Sequence, residues 1–166
     1  MNIRPARPDD HAAIRTLVTA AFATLAQSNG KEADIVEGVR QERAGLADLV
    51  AEEDGRIVGH VLFSRMTCEP SLFVAALGPV AVALDHQRKG VGAALINRGL
   101  RECRALGVKA VVLLGHPTYY PRFGFSAEAA ARIASPYAGS PAFMALALTP
   151  GALDQPLKAD YPAPFG

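Results

Sequence analysis

The chain has 166 residues, half of them hydrophobic and a fifth charged, and a formal net charge of +1. That length suits one domain that buries a core unaided, and the near-neutral charge argues against nucleic acid, whose partners usually carry a basic stripe. No stretch is long enough to cross a bilayer, and the charged N-terminus with Pro5 and Pro8 lacks the apolar segment of a secretory leader. Cys68 and Cys103 form no C-x-x-C pair, so the expectation is a cytoplasmic protein with two free thiols and no membrane association.

Residues 2–6 read as a short strand. Pro8, Asp9 and Asp10 then open a helix, with carboxylates where the helix dipole favours them. Ile14, Leu17, Val18, Ala21, Phe22 and Leu25 follow at helical spacing and give it one apolar face. Ser28-Asn29-Gly30 ends it. A second helix is predicted over 31–43, with Ile35, Val36 and Val39 on its buried side. Strands over 46–53 and 56–66 flank Asp54-Gly55, a hairpin signal because both central residues take positive φ. A loop around Glu69-Pro70-Ser71 leads to a strand ending near Leu84.

Next comes Gln87-Arg88-Lys89-Gly90-Val91-Gly92-Ala93, between that strand and a helix predicted to run to Leu106, with Gly107 as its stop. Two glycines one residue apart let successive N–H groups converge, and a helix start adds free donors and a positive dipole end. This is a phosphate or pyrophosphate site. A Walker loop is excluded, because Gly30-Lys31 precedes Glu32 and lacks the earlier glycine. A dinucleotide fingerprint is excluded because no third glycine follows Gly92. Residues 109–115 form a continuously apolar, buried strand, and 142–149 a last clear one. The proline- and glycine-rich 150–166 reads as a tail wrapping the surface of the domain formed by 1–149. The fold class is α/β, a mixed sheet with helices on both faces.

The loop Q-x-x-G-x-G, this β-α-α-β-β-β-α-β order, Gly78-Pro79 in the strand before the loop, Arg56-Ile57-Val58-Gly59-His60 after the hairpin, and Tyr120-Pro121-Arg122-Phe123-Gly124-Phe125 together resemble the GNAT superfamily of N-acetyltransferases. The Tyr119–Phe125 stretch is similar to a bacterial subgroup with a Y-Y-x-R-F-G-F segment. The resemblance implies a mostly antiparallel sheet and acetyl-CoA as co-substrate. It implies direct acetyl transfer to a primary amine of a small molecule or peptide, with a homodimer compatible. Its rival is a GNAT-fold module that binds CoA but has lost catalysis.

On that resemblance the backbone N–H groups of Arg88, Lys89, Gly90, Val91, Gly92 and Ala93, with Gln87 leading in, hold the pyrophosphate. The strand edge at Val80, Ala81 and Val82 pairs with the pantetheine amides, and an N–H near Val82 faces the thioester oxygen. Tyr120 matches the family's acid tyrosine; a phenol of ordinary pKa about 10 is protonated at neutral pH and can donate to a departing thiolate. Tyr119 next door is the decoy: neighbouring residues point apart, so one of the two packs, and a packing role is the alternative for Tyr120.

Three residues compete as general base. Glu32 borders the acceptor side or is simply a dipole-stabilised carboxylate at a helix start. His116 relays a proton through water or is a hydrogen-bonded loop residue. Glu69 has a similar but thinner case. His60, mid-strand, reads as structural. No histidine or cysteine spacing suggests a metal, and no serine has a nucleophile-elbow context.

Overall fold

The computed structural model describes residues 1–166. The elements are β1 (Asn2–Pro5), α1 (His11–Phe22), α2 (Glu32–Gln41), β2 (Gly45–Glu53), β3 (Arg56–Arg65), β4 (Thr67–Glu69), β5 (Val74–Val82), α3 (Val91–Leu106), β6 (Ala110–Leu114), β7 (Ile133–Ala134), β8 (Phe143–Ala147) and β9 (Leu157–Asp160). Six strands make one sheet in the order β1-β2-β3-β5-β6-β8. Every neighbouring pair is antiparallel except β5 with β6. The expected mixed, mostly antiparallel architecture is therefore present.

Helices cover both faces. Alternation along β3 sends Gly59 towards α3, where an added β-carbon would stand 2.8 Å from side-chain atoms of Val91 and Leu95. The next residue, His60, faces α2. Its Nε2 lies 2.7 Å from Asp48 Oδ1, and Asp48 also accepts from Arg40 of α2 at 2.7 Å. On the α3 side, Gly99 presses against Phe63 so closely that a β-carbon would sit 2.0 Å from the ring. α1 enters through the turn at Pro8–Asp10, where the Asp10 carboxylate accepts from the Arg7 N–H and from Arg4. The Arg4 guanidinium beside it holds the Asp10 carboxyl down to about 2.

The tail requires a correction. Residues 150–166 do not simply wrap the surface: β9 is the central strand of a second sheet, β4-β9-β7. Leu157 and Ala159 are buried while Lys158 and Asp160 are exposed, the alternation of a half-buried strand. Burial of Leu153, Leu157 and Ala159 with Met66, Ile133 and Phe143 builds a second small core. The end of the chain then seats on α2, where Pro164 occupies the space a β-carbon at Gly38 would need, 2.7 Å away. For the same reason the loop expected around Glu69-Pro70-Ser71 starts one residue late: Glu69 is the last residue of β4, to which β9 supplies a partner.

Candidate active site

Strand β5 has two unlike edges. Towards β3 it pairs from Ala75 to Val82, with one extra residue accommodated at Gly78-Pro79, where proline has no N–H to offer. Towards β6 it pairs only at Val74, Ala75 and Ala76. Beyond Ala76 the two strands part. The Ala83 N–H donates to the Val58 carbonyl at 2.8 Å, on the β3 side. Peptide groups alternate along a strand, so Val80 and Val82 turn theirs to the open edge and Ala81 turns its own to β3. The Val82 carbonyl accordingly accepts from Gln87 Nε2 at 3.2 Å.

The loop itself is pre-shaped. Arg88 and Gly90 have φ of 61° and 83°, and Gly90 caps α3 without any side-chain hydrogen bond. The first backbone bond at this helix start is from the Ala94 N–H to the Gly90 carbonyl at 3.0 Å. The six N–H groups from Arg88 to Ala93 thus donate to nothing in the chain. A β-carbon at Gly92 would stand 3.6 Å from Val82 Cγ2, 3.7 Å from the Tyr119 hydroxyl and 4.0 Å from Val80 Cγ1. A side chain longer than a methyl at Gly92 would run into these three groups, which line the cradle. Free donors at a helix start, meeting an unpaired strand edge, fit a pyrophosphate joined to an arm bearing amides.

The chain turns after β6 on the His116 carbonyl, which accepts from the Tyr119 and Tyr120 N–H groups at 3.1 and 3.4 Å. The neighbouring tyrosines then diverge. The Tyr120 ring lies against Gly115, whose β-carbon would be 2.4 Å from it, and meets Phe125 edge to face. Burial pushes its phenol up to about 12. Tyr119 goes to the cradle.

A family comparison decides what this arrangement belongs to: the acetyltransferase (GNAT) domain matches residues 2–127. The chain belongs to the GNAT family. Among its relatives in Escherichia coli K12, the uncharacterized N-acetyltransferase YjhQ is 37% identical over 121 residues, 70% of this chain. The chain spans 64% of YjhQ's length. The uncharacterized N-acetyltransferase YhbS is 33% identical over 131 residues, covering 78% of this chain and 75% of YhbS. Two solved structures superpose over 99% of the chain. A Brucella melitensis GNAT acetyltransferase in complex with acetyl-CoA has a TM-score of 0.85, 38% identity and 97% of its own chain covered. Escherichia coli YhbS in complex with CoA has 0.88, 30% and 91%.

The remaining candidates of this GNAT chain are scattered. Glu32 opens α2 and accepts from the Ser28 hydroxyl, in a turn also tied by the Lys31 N–H to Asn29 Oδ1 bond at 3.0 Å. No hydrogen bond links Glu32 to Tyr120 or to the loop. The His116 side chain is exposed beside the tyrosine turn. Glu69 lies in the second sheet, opposite Lys158. His60 is fully buried in the Asp48–Arg40 network; burial works against the Asp48 carboxylate, but hydrogen bonds from His60 and Arg40 outweigh it and hold the carboxyl down to about 2. Cys103 is buried in α3, its thiol pushed up to about 12 by desolvation, so it is no nucleophile.

Sequence reasoning missed a clasp just before the loop. Arg56 Nη1 donates to Asp85 at 2.9 Å, while the two ring nitrogens of His86 face Asp85 at 2.9 Å and Glu53 at 2.7 Å. Two carboxylates, one on each nitrogen, favour the imidazolium and raise the His86 pKa, Asp85 most. The hairpin is thereby tied to residue 86, next to Gln87. A groove of about 810 Å³ runs along α1 past Leu17, Ala21, Glu52 and Asp85. It lies on the α1 face of the sheet, whereas Val80, Val82, Gly92 and Tyr119 meet on the α3 face, and its Asp10 and Glu52 share the single cation Arg4.

Proposed function

We propose that the protein transfers the acetyl group of acetyl-CoA directly to a primary amine of a small molecule or a peptide. The observation that carries this reading is the junction of six unpartnered N–H groups, Arg88 to Ala93, with the unpaired edge of β5. The relatives held with acetyl-CoA and CoA support the same co-substrate here. When bound, acetyl-CoA supplies an activated acyl group on a thiol leaving group.

In this reading Arg88 to Ala93 hold the pyrophosphate, and the open-edge peptides of Val80 and Val82 bind the amide-bearing arm. An N–H on that edge also meets the carbonyl oxygen where negative charge develops; donors so placed contribute about 2.7 to 4 kcal/mol in comparable sites. Tyr120 serves as the acid. Raised to about 12, its phenol stays protonated at neutral pH. A thiol titrates near 8.5, so the phenol works chiefly as a hydrogen-bond donor to the departing sulfur. The amine must shed a proton, for which Glu32, oriented by Ser28, and His116, free beside the turn, are the candidates.

The test is acetyl transfer to a panel of amines, read as CoA released, with wild type, Glu32→Gln and His116→Ala. Transfer to at least one amine, with the acidic limb of the pH profile lost in one of the two variants, supports the reading. No transfer to any amine, by a protein that binds acetyl-CoA, contradicts it.

A further inference from the structure

Tyr119 has a hydroxyl with no hydrogen-bond partner, placed where the cradle meets the open edge: 3.7 Å from the β-carbon position of Gly92, a point also bounded by Val82 Cγ2 at 3.6 Å and Val80 Cγ1 at 4.0 Å. The ring is held there by three contacts. The Arg122 guanidinium lies over its face, 4.1 Å from the centroid, and Arg122 Nε also donates to the Tyr119 carbonyl at 2.8 Å. Tyr120 and Phe123 meet it edge-on at 5.1 and 5.5 Å. These contacts point the polar end of the ring at the junction of Gly92 with Val80 and Val82. The Arg122 clamp fixes the direction before any ligand arrives, which reduces the ordering cost of binding.

We propose that the Tyr119 hydroxyl is a hydrogen-bonding contact for the pantetheine arm of acyl-CoA, at its phosphate-proximal end. The proposal rests on the acetyl-CoA reading above and divides labour between the two tyrosines: Tyr119 holds the arm and Tyr120 serves the sulfur. A contact far from the thioester is the same before and at the transition state, so it contributes uniform binding and leaves kcat alone. CoA and acetyl-CoA lose equally when it is removed.

The experiment is calorimetric titration of wild type, Tyr119→Phe and Tyr120→Phe with CoA and with adenosine 3′,5′-bisphosphate, which lacks the arm. Tyr119→Phe keeps the ring and its three contacts, and a thermal melt checks the fold. The expected result is a loss of about tenfold in CoA affinity for Tyr119→Phe, in line with one hydrogen bond, with unchanged affinity for the bisphosphate in both variants. CoA affinity of Tyr119→Phe equal to wild type overturns the proposal, as does an equal loss for CoA and the bisphosphate. Failure of wild type itself to bind CoA is a separate outcome, and it removes the acetyl-CoA reading on which the proposal stands.

Discussion

The two edges of β5 carry the same backbone to opposite ends. On the β3 side the strand is paired to Val82, and that side continues into a buried network in which Asp48 accepts from both His60 and Arg40, with only His60 Nδ1 left without a partner. On the β6 side pairing stops at Ala76, and the loop that follows leaves six N–H groups without acceptors. Buried or strand-edge polar groups without partners are costly or prone to mispairing, so a fold keeps them where a ligand completes them. One edge makes the domain stable. The other, on the acetyl-CoA reading, is where the ligand binds.

The largest effect expected is on the closed side. Asp48→Ala strips the carboxylate from buried His60 and part-buried Arg40 and should cost about 3 kcal/mol of unfolding free energy, read by chemical denaturation, while CoA affinity in the folded protein changes little. Acid probes the same contacts. Asp48 and Asp10 are held at about 2, below the ordinary carboxylate value of about 3.9, so their stabilisation is complete above that value and is lost as pH falls towards 2. A stability profile flat from pH 4 to pH 2 would count against both networks.

On the open side, Gly92→Glu puts a side chain and a charge into the cradle. CoA affinity should fall at least about 100-fold, roughly 2.7 kcal/mol, with the fold retained. Tyr120→Phe should lower kcat about 100-fold; equal turnover would remove the acid role. The smallest effect belongs to the clasp. His86 has a raised pKa, so its stabilising contacts with Asp85 and Glu53 are complete below its ordinary value of about 6.5 and fade as pH rises through the higher folded value. The midpoint difference between wild type and His86→Asn should therefore shrink from pH 6 to pH 8; a constant difference would mean that charge on His86 plays no part.

Much of the open edge was legible in the sequence because its causes are local. Gly78-Pro79 forces an irregular strand, Gly90 and Gly92 mark the loop, and Asp54-Gly55 sets the hairpin with positive φ at both residues. The second sheet was not legible. Leu157 to Asp160 alternates correctly, yet it is four residues long between Pro156 and Pro162, and its partner Thr67–Glu69 lies some ninety residues earlier. The directions of Tyr119 and Tyr120 were equally hidden, since they depend on a turn hung from the His116 carbonyl and on the Arg122 clamp rather than on strand alternation. The His86 clasp joins residues from three places, and no spacing rule connects Glu53 and Arg56 to Asp85.

Amide hydrogen exchange, with and without saturating acetyl-CoA, tests the difference between the two edges most directly. The N–H groups of Val80, Val82 and Arg88 to Ala93 should exchange quickly in the free protein and become strongly protected on binding, while Ala81 and Ala83, already paired towards β3, stay slow throughout. Protection that spares the open edge and loop, or that appears equally on both edges of β5, would contradict the account.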